Sequence, residues 1–385
     1  MKILIVSKCP THPITKGNRF WILSQAELLM KLENDVHFLF INEAPLKGGK
    51  RKDEIQEMKD YWKNHYHQYN IPLYEKLYSK VINKIRIYFY NYTWKCDDGY
   101  PHHLHKIINQ LDEKYDFDCC IVNYFYLTKA FEKINIPKKA LSTHDCFTFK
   151  NLEVKENIIN RLDEKNEAKA MQRSPYIFAL QEEEANFFKK LAPNSKVFTV
   201  YASYKYHEQP CCHNKNILFF SGDNAYNVNG LKWFLKQIFP HIVETFPEVK
   251  LIIGGGICKA IRNDYTNHPN IQLYGFVNNP SDFFLQGDIA INPTYQGTGL
   301  KIKTFESISY GKVVMVHPHS MKGIYQSEKS PLFASDKADD WTEYLKKIWN
   351  TNPTLVENIK EQDKIYLEEM NKFIEHEYQL FLNSN

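Results

Sequence analysis

Between Gly297 and Glu306 the chain carries Gly297, Thr298, Gly299, Leu300, Lys301, Lys303 and Glu306. Glycines let backbone approach a ligand closely. The first turn of a following helix offers unpaired N–H groups and the positive end of the helix dipole, which suits phosphate. Lys301 and Lys303 add mobile positive charge there; because they flank Ile302, they point in different directions on a helix. Glu306 falls about one turn into the helix. A carboxylate at that point suits sugar hydroxyls better than phosphate. A phosphate cradle with a hydroxyl acceptor one turn later is the arrangement a nucleotide-sugar needs.

The surrounding pattern shows what must hold this segment. Residues 307–311 read as a helix end with a terminal glycine, and 313–316 as a buried strand. A β-α-β start runs through a strand at 2–7, a helix to about residue 31 and a strand at 36–41. Further strands are expected at 118–123, 140–143, 176–180 and 196–200, their apolar centres suiting parallel strands buried on both faces. Residues 206–215 break the rhythm and read as a linker. It then restarts with strands at 216–221, 249–253, 271–274 and 289–292. At 385 residues the chain exceeds one ordinary core. The expected layout is an α/β domain over 1–205, a second over 216–353 and a polar-rich helical tail over 354–385.

The block from Gly297 to Val316 resembles the donor-site motif of retaining GT-B glycosyltransferases, especially glycosyltransferase family 4. There a glycine loop enters a helix with a Glu-Ala or Glu-Ser pair, then Gly-Lys/Arg-Pro/Val-Val; here these are Glu306-Ser307 and Gly311-Lys312-Val313-Val314. The resemblance is strong over roughly 216–324 and weaker over 1–205. It implies the GT-B fold: two Rossmann-like doubly wound parallel-sheet domains facing a central cleft, the last helix crossing back to the first domain.

The resemblance also assigns roles. Glu306 holds the donor ribose. Backbone from Gly297 to Leu300 recognises the sugar, since Thr298 stands where the family often has a second glutamate. Gly222 and Asn227 belong to the first loop of the second half. That loop lacks the Arg and Lys that many members use on the diphosphate, so Lys301 or Lys303 must supply the charge. Backbone at Gly275-Phe276-Val277 would pair with the nucleobase edge. In the first half, Gly17 allows close approach and Arg19 would add charge toward the cleft; a plain strand-to-helix turn capped by Asn18 is equally consistent. His144 would contact the transferred sugar, with Asp145 fixing its tautomer or acting as a base on the acceptor hydroxyl.

Composition narrows the partners. The net charge of +4 is too small to argue for nucleic acid. Eight cysteines without C-x-x-C spacing fit a reduced cytoplasmic protein, and no apolar run is long enough to span a bilayer. Asp116-Phe117-Asp118 looks like a metal-binding Asp-x-Asp but opens a buried strand, so no metal or other cofactor is expected. Residues 47–95 carry eleven Lys/Arg against five Asp/Glu, interleaved with Tyr and Trp. That composition suits either a solvated insertion or weak contact with an anionic membrane surface.

The expected activity is transfer of a sugar, with retention, from a UDP- or GDP-sugar to a glycan or lipid-linked glycan, in bacterial surface polysaccharide assembly at the inner face of the cell membrane. The alternatives are a nucleotide-sugar-binding partner without catalysis and a nucleotide-sugar 2-epimerase.

Overall fold

The structure, a computed structural model, describes residues 1–14, 16–43, 49–90, 95–148, 163–265, 267–297, 302–351 and 354–384. It divides into two compact units. Unit 1 comprises Met1–Ser203 and Ile374–Asn385, and unit 2 comprises Tyr204–Phe373.

Unit 1 is built on seven strands: β1 (Lys2–Ser7), β2 (Asp35–Asn42), β3 (Tyr66–Asn70), β4 (Cys119–Asn123), β5 (Lys138–Ser142), β6 (Tyr176–Ala179) and β7 (Lys196–Thr199). They pair in parallel in the order β3-β2-β1-β4-β5-β6-β7. Ile3 to Val6 of β1 are wholly buried, as a central strand covered on both faces requires. The helix Leu355–Asn383 ends inside this unit. Its Tyr378 hydroxyl accepts from Gln25 Nε2 at 2.9 Å, and its Phe381 ring packs on Tyr176, Phe178 and Phe198.

Unit 2 has six strands: β8 (Asn216–Phe220), β9 (Lys250–Gly254), β10 (Ile271–Gly275), β11 (Ile289–Asn292), β12 (Val313–Val316) and β13 (Phe333–Ala334). Their order is β10-β9-β8-β11-β12-β13, again parallel. The core joins Ile217, Phe219, Phe234, Leu251, Ile253, Ile291, Met315 and Trp341. Each sheet reverses its strand order once, between β1 and β4 in unit 1 and between β8 and β11 in unit 2. Ligands of such sheets bind beyond the carboxyl ends of the strands at that reversal.

Two strands depart from the sequence reading. β3 lies within the stretch read as an insertion, where Tyr-His-Gln-Tyr-Asn has no apolar run because only Tyr69 of this edge strand is buried. β13 is two residues long, too short to leave a pattern. The helix Ala225–Gln237 starts where Asn224 caps it by accepting from the Asn227 amide.

Candidate functional site

The reversal in unit 2 is where the glycine loop emerges. Asn292, at the end of β11, donates from Nδ2 to Thr304 Oγ1 at 2.8 Å and so ties the strand to the helix Ile302–Ser309. Lys303, on that helix, donates to Asn227 Oδ1 at 2.6 Å and Thr294 Oγ1 at 3.2 Å. Asn227 in turn donates to the Gly222 carbonyl at 3.1 Å. One lysine therefore joins the loops after β8 and β11. Gly297 has a φ of +96°, and its carbonyl accepts from His319 Nε2 at 2.9 Å. Thr298, Gly299, Leu300 and Lys301 lie outside the described residues.

Two further glycines allow this crowding. A Cβ on Gly230 would sit 2.8 Å from the Thr294 Cα, so the helix Ala225–Gln237 can approach the β11 loop only with glycine there. Gly255 has a φ of +93°, and a Cβ on it would lie 2.4 Å from the Ser221 carbonyl oxygen. Gly222 has no such neighbour. Gly275 has a φ of +83°, and its carbonyl accepts from the Gly255 amide at 2.7 Å. Phe276 beside it is 79% exposed, whereas Val277 is buried with Phe283.

Glu306 stands one turn after Lys303, partly buried, and makes no side-chain hydrogen bond among the described residues. Burial pushes its carboxyl up to about 7. The buried rings of Tyr204 and Phe305 stack at 5.8 Å beside it. Hydrogen-bond donors brought to this carboxylate would favour its ionised form. Lys312 of the same motif sits at the other end of β12, wholly buried, and its ammonium is pulled down to about 8 by burial.

Unit 1 assembles its site from separate segments. Asn123 and Ser142 end β4 and β5. The Asn123 Oδ1 accepts from His144 Nε2 at 3.0 Å. His144 is buried, and its ring stacks on Tyr124 with centroids 3.9 Å apart. Burial pulls the imidazole down to about 3, so it is neutral at any physiological pH. It can exchange hydrogen bonds but brings no positive charge to a developing oxyanion. Tyr124 has a φ of +74°, a left-handed backbone that is costly for an aromatic residue. Its hydroxyl accepts from Asn18 Nδ2 at 3.1 Å, and Tyr126 also stacks on it, with centroids 5.3 Å apart. A cavity of about 520 Å³ opens at the strand reversal between β1 and β4, lined in part by Lys8, Lys16, Asn18, Tyr124 and Tyr126.

Asp145 faces the Glu167 and Glu184 carboxyls, and each is raised partly by its charge. Glu184 is pushed up to about 8, chiefly by burial. Glu167 accepts from the Phe147 and Thr148 amides at 2.9 and 2.8 Å, fixing the turn that follows Asp145.

Arg19 also lines the unit 1 cavity, with its guanidinium paired to Glu54 at 2.8 Å and bonded to the His12 and Pro13 carbonyls. Some expectations are corrected. Gly17 opens the first helix, but Lys16 holds the N-cap position and the Asn18 side chain reaches Tyr124 instead. Asp118 accepts from the Lys2 amide at 2.7 Å, a structural use. Asp35, His37 and His65 bring ligand-type atoms within 4.8 Å of one another at the opposite, amino ends of the strands.

Residues 214–351 match the family described as Glycosyl transferases group 1. Over 334 residues, 80% of each chain, the protein is 24% identical to a Klebsiella pneumoniae protein described as an uncharacterized 44.6 kDa protein in the cps region. Anabaena HepE, crystallised with UDP, shares the fold over 100% of both chains at 10% identity with a TM-score of 0.67. S. aureus TarM, crystallised with Fondaparinux, alpha-GlcNAc-glycerol and UDP, does so over 100% of both chains at 13% identity with a TM-score of 0.67. The fold is GT-B.

Proposed function

We propose that the protein is a retaining glycosyltransferase of the family 4 type, transferring a sugar from a UDP- or GDP-sugar to a hydroxyl of a glycan or lipid-linked glycan during surface polysaccharide assembly at the inner face of the cell membrane. The carrying observation is the donor half: a positive-φ glycine, a lysine braced by two loops and, one turn later, a partly buried carboxylate with no side-chain hydrogen bond among the described residues. In this reading Glu306 takes the ribose hydroxyls. Backbone from Gly297 to Leu300 faces the sugar, while Gly222, Asn227 and Gly275 to Val277 shape the nucleotide site. The leaving diphosphate is stabilised by the N–H groups of the helix start with Lys301 and Lys303. His144 orients the reacting sugar as a neutral imidazole, and Asp145 serves the acceptor hydroxyl. HepE and TarM, each crystallised with UDP, and the Klebsiella relative of the cps region support this reading.

A second reading keeps the donor site but removes catalysis. It is favoured by Lys303, whose ammonium already serves Asn227 and Thr294. The deciding experiment is thermal stabilisation by UDP, GDP, ADP, CMP and their sugars, followed by product analysis. A true ligand at 100 times its dissociation constant adds about 2.7 kcal/mol. A shift with one nucleotide that shrinks in Glu306→Ala, together with sugar transfer, is expected. A folded protein that no nucleotide stabilises would sink both readings; a shift without transfer or donor hydrolysis would leave only the second.

A further inference from the structure

The helix Leu73–Tyr90 of unit 1 leaves its long apolar face uncovered. Leu73, Leu77, Val81, Ile85, Tyr88 and Phe89 are 46% to 83% exposed. At 3.6 residues per turn they fall within an arc of about 160°. The opposite side is fixed. Glu75 is buried, accepting from the Tyr69 hydroxyl at 3.0 Å and pairing with His103, and Arg86 meets Asp98 at 3.4 Å. Tyr74 and Tyr78 fall within the exposed arc itself and stand edge-on to His103 and His102. A helix so anchored presents its apolar stripe as a built surface, and contiguous patches of this kind mark interaction sites.

Charge selects the occupant. The helix carries Lys76, Lys80, Lys84 and Arg86 against one carboxylate, Glu75. That carboxylate is the buried one, so negative charge is withdrawn from the exposed side. On the same wheel Lys84 falls just inside the Leu73 edge of the stripe and Lys76 about 60° outside it. A second copy meeting this face would set the same lysines against one another, which disfavours self-association. The helix is 18 residues long, and no described helix is long and apolar enough to cross a membrane. An apolar stripe edged by lysines instead suits the headgroup plane of an anionic leaflet.

We propose that the helix Leu73–Tyr90 docks unit 1 onto an anionic lipid bilayer, lying in the headgroup plane with its apolar stripe inserted. The inference rests on the proposed function only for its biological setting, the lipid-linked acceptor; its physical basis is independent of the donor site.

The test is co-sedimentation of the full chain with phosphatidylcholine–phosphatidylglycerol vesicles and with pure phosphatidylcholine vesicles. Binding is expected on the anionic vesicles, weaker at high salt. Val81→Glu/Ile85→Glu should lower the bound fraction by at least about tenfold, and Lys76→Glu/Lys84→Glu by a similar factor. Both variants should keep the nucleotide-induced thermal shift, which separates failure of docking from failure of the donor site. Equal sedimentation of wild type and variants overturns the proposal, as does absence of wild-type binding. Concentration-dependent dimers dispersed by Val81→Glu/Ile85→Glu, without vesicle binding, would instead assign the face to a second copy.

Discussion

The two units share a parallel sheet and a single reversal of strand order, yet they fill that reversal differently. In unit 2 the chain leaving β11 supplies most of the site in one stroke: Asn292, Thr294, Gly297, Lys303 and Glu306 follow within fifteen residues. Much of what it offers is backbone. In unit 1 the corresponding place is furnished by side chains from the first helix, the end of β4 and the end of β5: Asn18, Asn123, Tyr124 and His144. A backbone cradle suits a ligand part that recurs in every turnover, such as a nucleoside diphosphate. A stack of rings can change with little cost to the sheet, which suits the part of the reaction that differs between enzymes.

The strongest way to break this contrast is to disturb the cradle's backbone. Gly255→Ala forces a left-handed φ and a 2.4 Å approach to the Ser221 oxygen, so a loss of about 3 kcal/mol or more is expected in urea unfolding. A loss below about 1 kcal/mol would mean the β8 and β9 loops are softer than their crowding implies.

Glu306→Ala comes next. With two ribose hydroxyls left unpaired, kcat/KM should fall about 100-fold, read in steady-state transfer assays. An effect below fivefold would remove Glu306 from the donor site.

The same carboxyl makes binding depend on pH. Burial pushes it up to about 7, against an ordinary 4.5. The folded state therefore holds the proton more tightly than the unfolded chain, and this group's contribution to stability declines as pH rises from about 4.5 to 7. Ligand hydroxyls favour the ionised form, so nucleotide binding should release a proton. Affinity should drop by up to about tenfold per pH unit below 7, and Glu306→Gln should flatten the dependence in calorimetry. His144, neutral throughout this range, should contribute nothing to it.

The smallest change sharpens the comparison from the other side. Tyr124→Phe loses only the bond from Asn18, about 1 kcal/mol. It should raise the acceptor KM while leaving the nucleotide thermal shift unchanged. A weakened nucleotide shift would show that the two sites are not separable.

Legibility in the sequence follows the same division. The glycine-lysine-glutamate run was readable because its chemistry is contiguous and its helix starts where the motif requires. The central strands were readable because burial on both faces leaves apolar runs. Tyr124, Glu167 and Glu184 were missed because only the pairing of β4 with β5, and the helices beside them, bring them to His144 and Asp145. The ion pair of Arg19 was unreadable for a related reason: Glu54, which pairs with it, is 35 residues away on another helix. β3 was lost because a half-exposed edge strand mixes polar and aromatic residues.

The terminal helix has a consequence for synthesis. Tyr378 and Phe381 pack into unit 1, although unit 2 lies between them and the rest of that unit in sequence. As the chain leaves the ribosome, the first 203 residues emerge lacking the aromatic pair that covers Phe178, while unit 2 can close from one unbroken stretch. The half begun first is completed last, and a nascent chain truncated before Ile374 carries that hydrophobic seam open to chaperones and proteases.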